Sequence, residues 1–182
     1  MDFHITLPFT EDDLNKIKPM DVLYLTGTVY TARDAAHKRM YEAVLNTIGP
    51  NNELNDENIA AAKSAIPFDI TDAVVYYLGP TPARPGQVIG SAGPTTSGRM
   101  DKYTPVLLDL GLKGMIGKGR RSDAVTESIH KNKAIYMGAT GGAGALLSKC
   151  IKSSEVVAYE DLGTEAIRKL YVEDFPVTVL IK

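Results

Sequence analysis

The chain contains one cysteine, Cys150, among 182 residues. A lone thiol makes no internal disulfide and no Cys-x-x-Cys metal site, so this chain holds no thiolate-bound metal cluster by itself. Within the apolar-periodic stretch Ala145-Leu146-Leu147-Ser148-Lys149-Cys150-Ile151 the residue reads as a small buried hydrophobe and not as a nucleophile. Strong charge of either sign is also missing: 20 Lys and Arg stand against 22 Asp and Glu, for a net charge of −2. No global field draws in nucleic acid or an anionic membrane surface, so any anion recognition has to be local. No apolar run approaches the ~20 residues that span a bilayer. The start, MDFHITLPFTEDD, lacks the charged-then-apolar pattern of an export signal, and a cytoplasmic protein without membrane partners is expected. Metal-spaced His, Asp and Glu, a Ser–His–Asp arrangement, internal repeats and low-complexity linkers are absent as well.

What is present suits one domain over residues 1–182: 44% of residues are hydrophobic and 23% charged. Phe3, Ile5 and Leu7 alternate as in a half-buried strand, and Thr10 before Glu-Asp-Asp opens a short helix to about Lys18. DVLYLTGTVY, from Asp21 to Tyr30, reads as a strand, and Thr31-Ala32-Arg33-Asp34 has the form of a capping box that starts a helix to Ile48. Its stripe of Ala36, Met40, Val44, Leu45 and Ile48 predicts the buried face, leaving Arg33 and His37 together on a neighbouring one. Residues 49–68 carry no clear pattern. Further on, AVVYYL, QVIGSA, KGMIGKG, KAIYMG, EVVAYE and FPVTVLIK read as strands. Helices are expected over Met100–Leu110, Ser122–His130, Ala143–Ile151 and Thr164–Val172. Such alternation specifies an α/β fold, layered around an at least partly parallel sheet.

Three loops carry the chemistry. Gly93-Pro94-Thr95-Thr96-Ser97-Gly98-Arg99 joins an expected strand to an expected helix, where hydroxyls, backbone N–H groups and a guanidinium would receive a carboxylate or phosphate. A turn with a solvated Arg99 explains the same residues. Arg33 sits at a helix start, where its charge opposes the helix dipole, and His37 follows one turn on, with a side chain that titrates near neutral pH. Lone helical histidines are more often structural. Lys118 stands between two glycines in Ile116-Gly117-Lys118-Gly119, but no Ser or Thr follows it, which excludes a nucleotide P-loop. Gly138-Ala139-Thr140-Gly141-Gly142-Ala143-Gly144 lacks the dinucleotide fingerprint and reads as a tight turn. Arg33, Arg99 and Lys118 together are a suitable number of cations for a dianion carrying two carboxylates.

The segments DVLYLTGTVYTARDAAHKRM, GPTTSGRMDKY, IGKGRRS and YEDLGTEAIRKLYVEDFPVTVLI, in that order, resemble the beta subunit of iron–sulfur class I fumarases and the related L(+)-tartrate dehydratases. The resemblance implies a swivelling β/β/α domain, a layered mixed sheet with flanking helices. It also implies a partner alpha subunit whose three cysteines carry a four-iron four-sulfur cluster, and higher-order pairing of alpha-beta units. The implied reaction is reversible dehydration of (S)-malate to fumarate, with tartrate dehydration to oxaloacetate as the alternative; a non-catalytic carboxylate- or phosphate-binding module is the reading from another class. By the same resemblance His37 has an active-site role, and Arg33, Thr95, Thr96, Ser97, Gly98, Arg99 and Lys118 bind the substrate carboxylates. The form Ser97-Gly98-Arg99-Met100-Asp101 is closer to fumarases.

Overall fold

The computed structural model describes residues 1–49, 53–140 and 143–182. Strands β1 (Asp2–Thr6), β2 (Val22–Thr31), β3 (Val74–Tyr76), β4 (Gly114–Gly117) and β5 (Ile135–Gly138) lie side by side, each parallel to the next. Helices α1 (Glu11–Lys16), α2 (Asp34–Ile48), α3 (Ile59–Ser64), α4 (Thr104–Asp109), α5 (Asp123–Lys131) and α6 (Gly144–Leu147) flank the sheet or connect its strands. The chain ends in β6 (Ile151–Ala158) and the 15-residue β7 (Ile167–Ile181). β7 runs antiparallel to β2, β5 and β6 at once, so β2-β3-β4-β5-β7 closes on itself while β1 and β6 lie outside the closed ring. The result is the layered mixed sheet with flanking helices that the sequence predicts.

The closed sheet has two apolar faces. Leu23, Leu25, Val29, Val74, Tyr76, Ile116, Ile135, Met137, Val177 and Val179 share one core. The residues between them, Val75, Tyr77, Met115 and Tyr136, share the other with Ala36, Met40, Val44 and Ile48 of α2, Leu107 and Leu108 of α4, and Val125 and Ile129 of α5. Every residue of β3 and β4 is buried, as parallel strands covered on both faces require. Full burial of each such aliphatic side chain contributes roughly 1.5–3 kcal/mol.

Local signals place several elements as expected. Thr10 caps α1 in a reciprocal box, its Oγ1 accepting from Asp13 N (3.1 Å) while Asp13 Oδ2 accepts from Thr10 N (3.0 Å). Ser122 caps α5 by accepting from Val125 N at 3.3 Å. Other expectations are corrected. Thr31 is not a helix cap: it ends β2, and Arg33 occupies the N-cap of α2 without a side-chain bond. QVIGSA is irregular, because its segment folds back on Thr81, whose backbone N donates to Ser91 O and whose Oγ1 accepts from Ser91 N. Met100–Leu110 is not one helix: a 3-10 turn over Ser97–Met100 precedes α4, and Pro105, lacking an N–H, restarts the helix in its first turn. Ala143–Ile151 splits into α6, a 3-10 turn over Ser148–Cys150, and the start of β6.

The largest correction concerns Thr164–Val172. A 3-10 segment, Glu160–Glu165, takes its start, and β7 takes the rest. The buried residues Ile167, Leu170, Val172 and Phe175 are spaced by three, two and three, which imitates a helix. A bulge interrupts the alternation: two steps on β2, Leu25 to Gly27, face three on β7, Phe175 to Val172, and Asp174 in between has a φ of 47°. The unpatterned stretch 49–68 contains α3, while residues 50–52 lie outside the described part, as do Gly141 and Gly142 of the glycine loop.

Thr31 shows how the returning segment is pinned. Fully buried, its Oγ1 accepts from Arg168 N at 3.0 Å and donates to Ala166 O at 3.4 Å. Thr31→Val keeps the volume and the strand preference but orphans the Arg168 N–H, and is expected to cost about 1–3 kcal/mol. Urea unfolding of the two proteins measures it; equal midpoints with equal slopes would show that this bond does not hold the segment.

Candidate active site

The three cations of the sequence reading lie along the carboxyl ends of adjacent parallel strands, the edge at which α/β sheets, closed or open, bind ligands. Arg33 follows β2 by two residues. Ala32 N donates to Tyr76 O at 3.1 Å, which sets the chain leaving β2 beside the end of β3. The Arg33 side chain crosses Gly79: a Cβ there would lie 2.7 Å from its Cδ and 2.9 Å from its Nη1, so glycine leaves the room it uses. Its Nε is buried, 3.5 Å from Glu165 Oε1 and 3.7 Å from Asp34 Oδ1.

The loop with Thr95 to Arg99 and the loop with Lys118 meet directly. Thr95 N donates to Tyr77 O (2.8 Å), Ser97 N donates to Lys118 O (2.9 Å), and Thr96 and Lys118 form an isolated parallel bridge. Close approach depends on Gly117, where a Cβ would stand 2.0 Å from Ser97 Oγ. Thr96, Gly98, Arg99 and Lys118 are exposed at this edge and Thr95 is half-buried. Ser97 points the other way: it is fully buried, with its Oγ 2.8 Å from the Tyr136 hydroxyl. Burial pushes the Tyr136 phenol above its ordinary pKa, so it stays protonated and donates to Gly119 O at 2.8 Å. The helix amino terminus expected behind this loop is only the short 3-10 turn, so no long helix dipole points at this edge.

One residue that sequence reasoning missed organises both loops. The Arg121 side chain is buried, and its guanidinium donates to Asp101 Oδ1 (2.7 Å), Thr104 Oγ1 (2.8 Å) and the Tyr77 hydroxyl (3.0 Å). It lies 5.3 Å from the ring centroid of Tyr77 and 5.0 Å from that of Tyr136. The second Asp101 oxygen accepts from Ser122 N at 2.7 Å. The doublet Arg120-Arg121 gives no sign that one member is solvated and the other interior. Asp101 and Tyr77, its partners, lie 20 and 44 positions away.

His37 is not on a face beside the buried stripe of α2 but within it, fully buried and edge-on to Tyr77 with ring centroids 5.3 Å apart. Its Nδ1 lies 2.9 Å from Arg33 O, which makes Nδ1 the donor and leaves Nε2 as a buried acceptor without a hydrogen-bond partner. Burial lowers its pKa from 6.5 to about 4, against the pull of the Arg33 carbonyl and with a further push from the Arg121 cation. At neutral pH the ring is uncharged. No group of three His, Cys, Asp or Glu side chains that could hold a metal ion occurs among the described residues. Cys150 is partly buried against the core, and burial raises its thiol pKa.

Comparison with known proteins places this arrangement in a family. The family model described as Fumarase C-terminus matches residues 2–182. The chain is 40% identical over 161 residues to the anaerobic class I fumarate hydratase of Escherichia coli (strain K12), an overlap of 87% of this chain and 26% of that protein. To the putative L(+)-tartrate dehydratase subunit beta of Methanocaldococcus jannaschii it is 31% identical over 171 residues, 91% of this chain and 80% of the relative. The L(+)-tartrate dehydratase subunit beta of Escherichia coli (strain K12) is 30% identical over 162 residues, 87% of this chain and 71% of the relative. The chain thus spans about a quarter of the length of the bacterial fumarate hydratases it matches. With a family model covering all but its first residue, the chain belongs to the Fumarase C-terminus family.

Proposed function

We propose that this chain is the beta subunit of an iron–sulfur hydro-lyase that reversibly dehydrates (S)-malate to fumarate and water, and that it grips the substrate's carboxylates. The observation that carries this reading is the arrangement of Arg33, Thr95 to Arg99 and Lys118 on the carboxyl ends of neighbouring strands β2, β3 and β4. Arg99 and Arg33 supply planar forks suited to carboxylates, Lys118 a mobile point charge, and Thr95 and Thr96 hydroxyl donors. Backbone at Gly98 lets the ligand approach, and Ser97 serves from beneath, tying the loop to Tyr136. As the carbon next to a carboxylate loses its proton, negative charge moves onto that carboxylate, and the same cations stabilise it. Identity favours malate over tartrate, at 40% against 31%. The tartrate reading is supported by relatives that are themselves beta subunits of comparable length.

The described residues do not fit a four-iron four-sulfur cluster: they offer one cysteine and no clustered metal-binding set. In this reading the cluster and its three cysteines belong to a partner alpha subunit, and alpha-beta units pair further in the cytoplasm. Among the described residues no helix is long and apolar enough to cross a membrane. His37 keeps the active-site role that the resemblance implies: its neutral, buried ring donates from Nδ1 to the Arg33 carbonyl at the start of α2 and leaves Nε2 as an unoccupied acceptor.

Co-expression with a cysteine-bearing alpha chain, anaerobic cluster reconstitution and assays on malate and tartrate test the proposal. A loaded complex that turns over neither acid removes both enzyme readings. In an active complex, Arg99→Ala is expected to lower kcat/KM by roughly 30-fold or more through loss of a charge-assisted clamp. An unchanged value would mean that Arg99 is only solvated. His37 predicts a pH effect on stability. Its folded pKa of about 4 lies below the unfolded 6.5, so the unfolded state takes up the proton first, and stability falls as pH drops from 6.5 toward 4. The loss between pH 7 and pH 5 is on the order of 2 kcal/mol. Denaturant titrations at both pH values, with His37→Asn as the non-titrating control, should show a shallower pH dependence in the variant.

A further inference from the structure

We infer that Glu165 is a positioning residue for Arg33: its carboxylate holds the Nε side of the guanidinium, aiming the rest of the fork at a substrate carboxylate. The inference rests on the proposed role of Arg33 as a carboxylate receptor. Three buried polar atoms meet at this point without a hydrogen-bond partner, Arg33 Nε, Asp34 Oδ1 and Glu165 Oε1. Glu165 Oε1 is the nearer acid, at 3.5 Å against 3.7 Å, and its side chain is 26% exposed where that of Asp34 is 43% exposed. An ion pair is stronger where water is excluded, so Glu165 has the larger hold. A guanidinium has five donors in a fixed plane, and a carboxylate engaged at Nε leaves donors on the terminal nitrogens for a second carboxylate. The Nε is buried while the Arg33 side chain as a whole is 25% exposed, so its accessible surface lies away from the Glu165 contact.

Both partners are fixed by contacts that have no need of a ligand. Arg33 lies against the backbone of Gly79. Glu165 ends the 3-10 segment Glu160–Glu165, which Arg39 staples to α2 through two bonds of 2.7 Å to Asp161, with its guanidinium 4.8 Å from the Tyr159 ring centroid. Thr31 secures the other side through Ala166 and Arg168. A carboxylate that this backbone frame sets against the candidate receptor directs that receptor's fork. The competing effect is repulsion: a fixed negative charge beside a dianion site weakens binding, and on that account its removal would tighten it.

Kinetics of the reconstituted alpha-beta complex separate the two. Glu165→Ala is expected to raise KM for malate, or for tartrate if that is the acid turned over, about tenfold while kcat changes less than about threefold, and Glu165→Gln, which keeps the acceptor, recovers most of the loss. In an Arg33→Ala background the Glu165→Ala change should add less than about twofold, the coupling that a purely structural defect would not show. An unchanged or lowered KM, or an equal penalty with and without Arg33, overturns the inference while the hydro-lyase reading stands. If the wild-type complex turns over neither acid, that reading fails separately, and calorimetry with succinate decides the role of Glu165. A Kd weakened about tenfold by Glu165→Ala only when Arg33 is present supports it, and absence of such an Arg33-dependent loss overturns it.

Discussion

The buried guanidinium of Arg121 is the contact on which the candidate site depends. Two loops that leave different strands have to present Thr95, Thr96, Arg99 and Lys118 at one edge, and Arg121 is bonded on both sides of that junction. It reaches Asp101 and Thr104 beyond the first loop, packs against Tyr77 and Tyr136 beneath, and begins the chain after the second loop. A cation withdrawn from water is tolerated only when its donors find acceptors, and here a carboxylate, a threonine hydroxyl and a phenol receive them. The requirement works as specificity. A register of the two loops that parted Arg121 from Asp101 and Thr104 would leave a buried charge short of partners.

Around that point the scaffold does the placing. Because β7 pairs with β2 on one side and β5 on the other, the sheet is closed and its parallel strands deliver their carboxyl ends to a common edge. The same strand explains why the chain returns there: the 3-10 segment before β7 brings Glu165 against Arg33. The three cations therefore differ in kind. Lys118 and Arg99 extend from loops into solvent, whereas Arg33 is partly sunk between a glycine and an acid.

His37 illustrates the difference between a residue type and its environment. Histidine suggests proton transfer because its ordinary pKa lies near neutrality, but burial on the inner side of α2, beside Tyr77 and under the influence of Arg121, keeps this one uncharged. Its bond to the Arg33 carbonyl ties it to the start of α2. The sequence period of α2 contained the clue: Ala36, Met40 and Val44 mark the buried face, and His37 lies between Ala36 and Met40 on it.

Composition and local pattern were enough for the parts of this protein governed by near neighbours. The caps at Thr10 and Ser122, the apolar runs of β3, β4 and β5 and the buried positions Ala36, Met40, Val44 and Ile48 of α2 all follow from residues a few positions apart. The segment Thr164–Val172 reads as a helix because its buried residues Ile167 and Leu170 stand three apart, a spacing that the bulge at Asp174 repeats from Val172 to Phe175, and only pairing with β2 and β6 makes it a strand. Likewise nothing near Arg121 or Glu165 in the chain announces an interior role, since their partners lie 20 to 132 positions away, Asp101 for the one and Arg33 for the other. Short-range periodicity records which face of an element is apolar; the partner of a buried charge is set by how the sheet closes.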